Sequence, residues 1–99
     1  MSVLVTGKFP GDVATFKQAL VDRAAEFAAM AEQSRAAGCI HHRFGVGDGF
    51  VVVVDEWESP QAFEQFFAQP ELQEFIGQLG VTGPPDITIS EAITSPDQY

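Results

Sequence analysis

Apolar positions recur along this chain with the period of a strand, then of a helix, then again of each. Residues 2–9, SVLVTGKF, form a short β-prone run that stops at the turn signal Pro10-Gly11. From Asp12 to Ala37 the apolar residues Val13, Phe16, Leu20, Ala24, Phe27 and Ala31 return at spacings of three and four, while Lys17, Asp22, Glu26, Gln33 and Arg35 fall elsewhere on the wheel. The spacing predicts one helix over 12–37, opened by an Asp12 cap and stopped by Gly38. CIHHRFGV and FVVVVDEWE then flank a glycine-rich turn and read as a β-hairpin. The run Val51–Val54 is apolar on both faces, which suits a central strand covered on each side.

Ser59 offers an N-cap and Pro60 the first position of a second helix, where a missing N–H costs nothing. Its apolar stripe is Phe63, Phe66 and Phe67, then Leu72, Phe75, Ile76 and Leu79, interrupted at Pro70, which kinks or splits it. Alternating Ile87, Ile89 and Ile93 mark a fourth strand, and residues 94–99 are a polar tail. The order β-α-β-β-α-β is the ferredoxin-like α+β pattern, an antiparallel four-stranded sheet with two helices on one face. Leu4 lies beside Val3 and Val5, and Val52 and Val54 beside Val51 and Val53, so both sheet faces carry apolar side chains. No third helix exists to cover the second face. A second copy of the same sheet would cover it, so a homodimer is expected.

Composition agrees with that expectation. The chain has 99 residues, 45% of them hydrophobic, with nine Phe, and a domain of this size buries only about 60–68% of its unfolded surface. We take residues 1–99 as one domain that gains cover by association. All five basic residues lie in the first 43 positions, and the net charge is −9. A nucleic-acid partner needs a basic footprint that this chain lacks, and an anionic membrane surface is disfavoured for the same reason. No segment approaches the roughly 20 apolar residues of a membrane span, and the N-terminus carries no basic leader, so the expected location is the cytoplasm. Cys39 is the only cysteine, which excludes an intrachain disulfide and a multi-cysteine metal site.

GCIHHRF, the glycine turn, VVVVDEWESPQAFEQFF and the closing short strand resemble the antibiotic biosynthesis monooxygenase family of dimeric α+β barrels, over roughly residues 3–93. The most specific stretch is DEWES, with Trp57 ending a strand and Ser59-Pro60 opening a helix. The resemblance implies two subunits packed sheet to sheet, each keeping a pocket between its sheet and helices. Members include cofactor-independent oxygenases of aromatic polyketides and haem-degrading enzymes. The haem-degrading members place an axial histidine on the second helix and an asparagine on the first strand. This chain has Ile76 at the matching helix position and no asparagine on strand 1, so of that constellation only Trp57 remains. Neither haem, flavin nor a metal is expected.

His41 and His42 are the only histidines. Successive strand residues point to opposite faces, so the two cannot share a pocket or a metal ion. Alternation groups Ile40, His42, Phe44 and Val46 on one face and Cys39, His41, Arg43 and Gly45 on the other. The first group is the more apolar and is expected under the helices, with His42 in the pocket. A histidine there can act as a general base near neutral pH, or it can be a packed core residue. Trp57 offers a flat ring and an N–H donor for an aromatic ligand, and Phe44, Phe63 and Phe67 extend that wall. Asp55 and Glu56 diverge on their strand and form no paired-carboxylate site, and one of them is expected at the surface. Two functions remain open: a cofactor-independent monooxygenase, or related proton-transfer enzyme, acting on a small aromatic or polyketide-like molecule with His42 as base, and a non-catalytic ligand-binding or structural dimer of the same fold. A cavity beside His42 large enough for a bicyclic ligand would favour the first.

Overall fold

A computed structural model describes residues 1–99. The elements run β1 (Val3–Pro10), α1 (Val13–Asp22), α2 (Ala24–Ala37), β2 (Cys39–Gly47), β3 (Phe50–Trp57), α3 (Pro60–Phe67), α4 (Pro70–Gly77) and β4 (Asp86–Glu91). The four strands make one antiparallel sheet in the order β2-β3-β1-β4. This is the ferredoxin-like arrangement, with β3 and β1 central and β2 and β4 at the edges.

Local chemistry sets most of the boundaries. Asp12 accepts a hydrogen bond from the Ala14 amide at 3.0 Å, and Ser59 accepts one from the Ala62 amide at 3.1 Å, so each opens its helix as an N-cap. Gly38 closes α2 with φ 119°, a left-handed conformation that a side chain would strain. Gly49 completes the β2-β3 turn with φ 81°. Pro70 splits the second helical segment, ending α3 and starting α4 at its own first position.

The first helical segment is also two helices, where the periodicity predicts one. The break falls at Arg23, whose φ of −119° and ψ of 30° leave the helical region. The Arg23 amide donates to the Ala19 carbonyl to close α1, while its own carbonyl accepts from Glu26 and Phe27 to open α2. Its guanidinium bonds both carboxylate oxygens of Glu26 and lies 4.7 Å from the centre of the Phe75 ring. The swivel lets Phe16 of α1 and Phe27 of α2 meet edge to face at 6.1 Å.

Pairing register assigns the faces. Val51, Val53, Asp55 and Trp57 of β3 look toward the helices, with Val3, Val5 and Gly7 of β1 beside them. Leu4, Thr6 and Lys8, paired with Glu56, Val54 and Val52, look the other way. The core forms two clusters. One contains Val3, Val5, Cys39, Trp57, Phe63 and Phe66, and the other Phe16, Ala19, Val51, Phe75 and Leu79. Members of both line a cavity between the sheet and the helices.

The register corrects one expected grouping on β2. A bulge between Cys39 and His41 inserts Ile40 as an extra residue, so Cys39 pairs with Trp57 while His42 pairs with Asp55. Cys39 therefore lies buried on the helix side, and Ile40 is exposed. His41 and Arg43, paired with Glu56 and Val54, face away from the helices. No helix is long and apolar enough to cross a membrane.

Candidate functional site

The cavity has a volume of about 540 Å³, and 21 of its 29 lining residues are hydrophobic. That size lies within the roughly 300–1,000 Å³ of small-molecule sites. Gly7, in the middle of β1, helps keep it open: a Cβ there would sit 3.0 Å from Val53 Cγ1 and 3.2 Å from Phe9 Cε1. His42, Phe44, Trp57, Phe63 and Phe67 all line the same cavity.

His42 projects from the edge strand β2, and its side chain is 39% exposed. Its Nδ1 lies 2.7 Å from Asp55 Oδ1 across the β2-β3 ladder. The other Asp55 oxygen, Oδ2, accepts the Trp57 indole N–H at 3.0 Å. Asp55 is only 7% exposed, and each of its oxygens has a partner, as burial of a carboxylate requires. Trp57, 1% exposed, packs between Phe63 and Phe66 at ring-centre distances of 5.7 and 5.4 Å. Its indole is thus a packed floor whose one donor is spent on Asp55. The more open rings are Phe44, which meets His42 edge-on at 4.7 Å, and Phe67, stacked on Phe63 at 5.3 Å.

Asp55 is the residue of this arrangement that sequence reasoning missed. The signal was present: Asp55 shares its strand parity with Val51, Val53 and Trp57, so an inward-facing Trp57 already implies an inward-facing Asp55. The acid nearer the surface is Glu56, half-buried on the opposite face and accepting a 2.6 Å hydrogen bond from the Ser2 hydroxyl.

The neighbouring Cys39 is chemically quiet. Its Sγ–H donates to the His41 carbonyl at 3.2 Å, and burial, with the nearby Asp55 charge, pushes its thiol up to about 11. A thiol held there supplies almost no thiolate near neutral pH. No group of three or more His, Cys, Asp and Glu side chains converges as a metal site would require. The haem pattern does not fit either, because α3 and α4 carry no histidine and Ile76 lines the cavity with a side chain that cannot ligate.

This fold belongs with a known group of proteins. The sequence profile described as antibiotic biosynthesis monooxygenase matches residues 10–78. The chain belongs to this family. No curated protein matches the sequence, but solved structures do. A monooxygenase from the gene ActVA-Orf6 of Streptomyces coelicolor, in complex with nanaomycin D, is 25% identical with a TM-score of 0.70, covering 99% of this chain and 93% of its own. SnoaB, a cofactor-independent oxygenase from Streptomyces nogalater, is 20% identical with a TM-score of 0.68 over 98% of both chains. Rv0793 from Mycobacterium tuberculosis is 20% identical with a TM-score of 0.66, covering 98% of this chain and all of its own. Such likenesses carry the fold, and the chemistry of this monooxygenase-family chain lies in its own residues.

Proposed function

We propose that this chain is a cofactor-independent monooxygenase of a small hydroxylated aromatic or polyketide-like molecule, with His42 as its base. The observation that carries the reading is a histidine on the wall of a large apolar cavity, one ring nitrogen held by a buried carboxylate and the other without a partner in the chain. The two 20–25% identical oxygenases support the reaction class. Phe44, Phe63 and Phe67, with Trp57 behind them, form the aromatic wall against which the substrate rings lie.

The chemistry balances without an external reductant. His42 removes the proton of a ring hydroxyl, and the electron-rich phenolate transfers one electron to dioxygen. Recombination of the radical pair forms a C–O bond at an unsubstituted ring carbon. Loss of that carbon's hydrogen as a proton breaks the O–O bond, leaving one oxygen as the new quinone carbonyl, while the other takes up that proton and the one held on His42 and leaves as water. The substrate is oxidised by four electrons, and dioxygen takes them up. The apolar lining favours this sequence by keeping bulk water from the peroxide intermediate.

The functional unit we propose is a homodimer in the cytoplasm, joined through the sheet face opposite the helices. Leu4, Val52 and Val54 line that face, with Ile40 at the bulge, and Leu4, Ile40 and Val54 are exposed in the single chain. The test is dioxygen consumption by purified protein, with no added metal or flavin, across a panel of naphthols, anthrones and hydroquinones. One dioxygen consumed per substrate, lost in His42→Ala, is the expected result. Saturable binding of panel members with no dioxygen uptake would leave a ligand-binding dimer in its place.

A further inference from the structure

We infer that Asp55 is a positioning residue whose orientation is locked by Trp57, so that the pair fixes which nitrogen of His42 can accept a proton. The inference rests on His42 being the proton acceptor of the site. The sequence Trp57 Nε1–H to Asp55 Oδ2, then Asp55 Oδ1 to His42 Nδ1, spans 3.0 and 2.7 Å.

An indole N–H can only donate and a carboxylate can only accept. Oδ2 is therefore committed to Trp57, and Oδ1 meets Nδ1 as an acceptor. His42 must carry its proton on Nδ1, which leaves Nε2 as the basic nitrogen. A histidine with the opposite tautomer would present an N–H where the base is needed. The buried carboxylate also stabilises the imidazolium that forms once Nε2 takes a proton, by the attraction of an opposite charge at hydrogen-bond distance.

The lock makes an unusual prediction for Asp55→Asn. An amide has one accepting and one donating end, and Trp57 demands the accepting one. The amide NH₂ is then forced toward His42 Nδ1, which must become the acceptor, so the ring proton moves to Nε2. Removing the indole donor as well, in Asp55→Asn/Trp57→Phe, frees the amide to turn its oxygen toward His42 and restores the Nδ1–H form.

The experiment is ¹⁵N NMR of the histidine ring nitrogens, in the His41→Gln background so that only His42 reports, at a pH where the ring is neutral. The protein with Asp55 and Trp57 intact should show Nδ1–H. Asp55→Asn should show Nε2–H, and the double variant should return toward Nδ1–H. A neutral His42 that is Nε2–H with Asp55 and Trp57 both present overturns the inference without either site variant having to fold. An Asp55→Asn ring that keeps Nδ1–H overturns it too, and identical tautomers in the single and double variants remove the role of Trp57. The tautomer readout is independent of turnover, so it stands or falls separately from the proposed oxygenation. Where turnover is measurable, Asp55→Asn should lower kcat by roughly 10²–10⁴-fold, the usual worth of a correctly protonated base, with KM little changed and partial recovery in the double variant.

Discussion

Replacing Val54 by Asp separates the outer sheet face from the inner one. Val54 is 50% exposed in the single chain, so an Asp there should change the subunit's own stability by about 0.5 kcal/mol or less. Association into the proposed dimer is a different matter. Fully burying a valine is worth about 1.5–3 kcal/mol, so roughly 1 kcal/mol remains to be gained at each of two symmetry-related positions. Losing both costs about 2 kcal/mol, which raises the dimer Kd roughly thirtyfold. Two like charges forced into one dry seam add a desolvation cost of several kcal/mol. Val51 is the contrast: it is 7% exposed, in the inner cluster with Phe16 and Phe75. An Asp there loses the valine's burial and strands a charge in the core, which is a large part of the about 5–15 kcal/mol that a domain has in total. Sedimentation velocity across a micromolar-to-nanomolar series, paired with circular-dichroism melting, reads both effects. Val54→Asp should be folded and monomeric, and Val51→Asp unfolded. An unaltered protein that sediments as a monomer at micromolar concentration, or a Val54→Asp variant with an unchanged Kd, would refute the reasoning.

Other outcomes are as definite. His42→Ala should abolish turnover on any substrate found while leaving the dimer intact, and it should lower stability by about 1–3 kcal/mol because Asp55 loses one of its two partners; His41→Ala, altered on the opposite face, should keep most activity in the same assay. Cys39 should react sluggishly with iodoacetamide at neutral pH. Because its folded pKa of about 11 lies above the ordinary 9.0, the unfolded chain releases the thiol proton first as pH rises, so this contribution to stability is complete below pH 9.0 and is lost between there and about 11. Denaturant midpoints should fall across that window and do so less in Cys39→Ser. Ser59→Ala removes the cap of α3 and should cost about 1 kcal/mol in denaturant titration.

What could be read from the sequence was what is decided locally. Asp12, Gly38, Ser59-Pro60 and the Gly47–Gly49 turn act within a few residues of themselves, and each sits where its chemistry requires. The break at Arg23 was hidden because no glycine or proline marks it. What holds the swivel is the pairing with Glu26 and the packing on Phe75, a residue more than fifty positions away. The bulge at Ile40 was hidden for a similar reason, since Cys39 and Ile40 are both apolar and either could have faced the core. Asp55 could have been read from its parity with Trp57. Acids are mostly exposed, and Asp55 tolerates burial because His42 and Trp57 satisfy both of its oxygens.

The bulge and the site are parts of one arrangement. In a regular strand Cys39 and His42 have opposite parity, so a register that buried Cys39 against Trp57 would turn His42 to the outer face, away from Asp55. Inserting Ile40 lets both residues face inward, which fills the core next to Trp57 and places the imidazole on the cavity wall. The same edge-strand location leaves the His42 ring partly open to solvent in the single chain. As the proposed base, His42 can there re-equilibrate its protonation with water between turnovers, when the cavity is empty. An aromatic substrate lying against Phe44 and Phe67 would then complete the desolvation and strengthen the pull of Asp55 on the imidazolium just when it forms. Access for the proton and dryness for the reaction are opposed requirements in a sealed pocket. A base on an edge strand, covered by the substrate itself, meets both in succession.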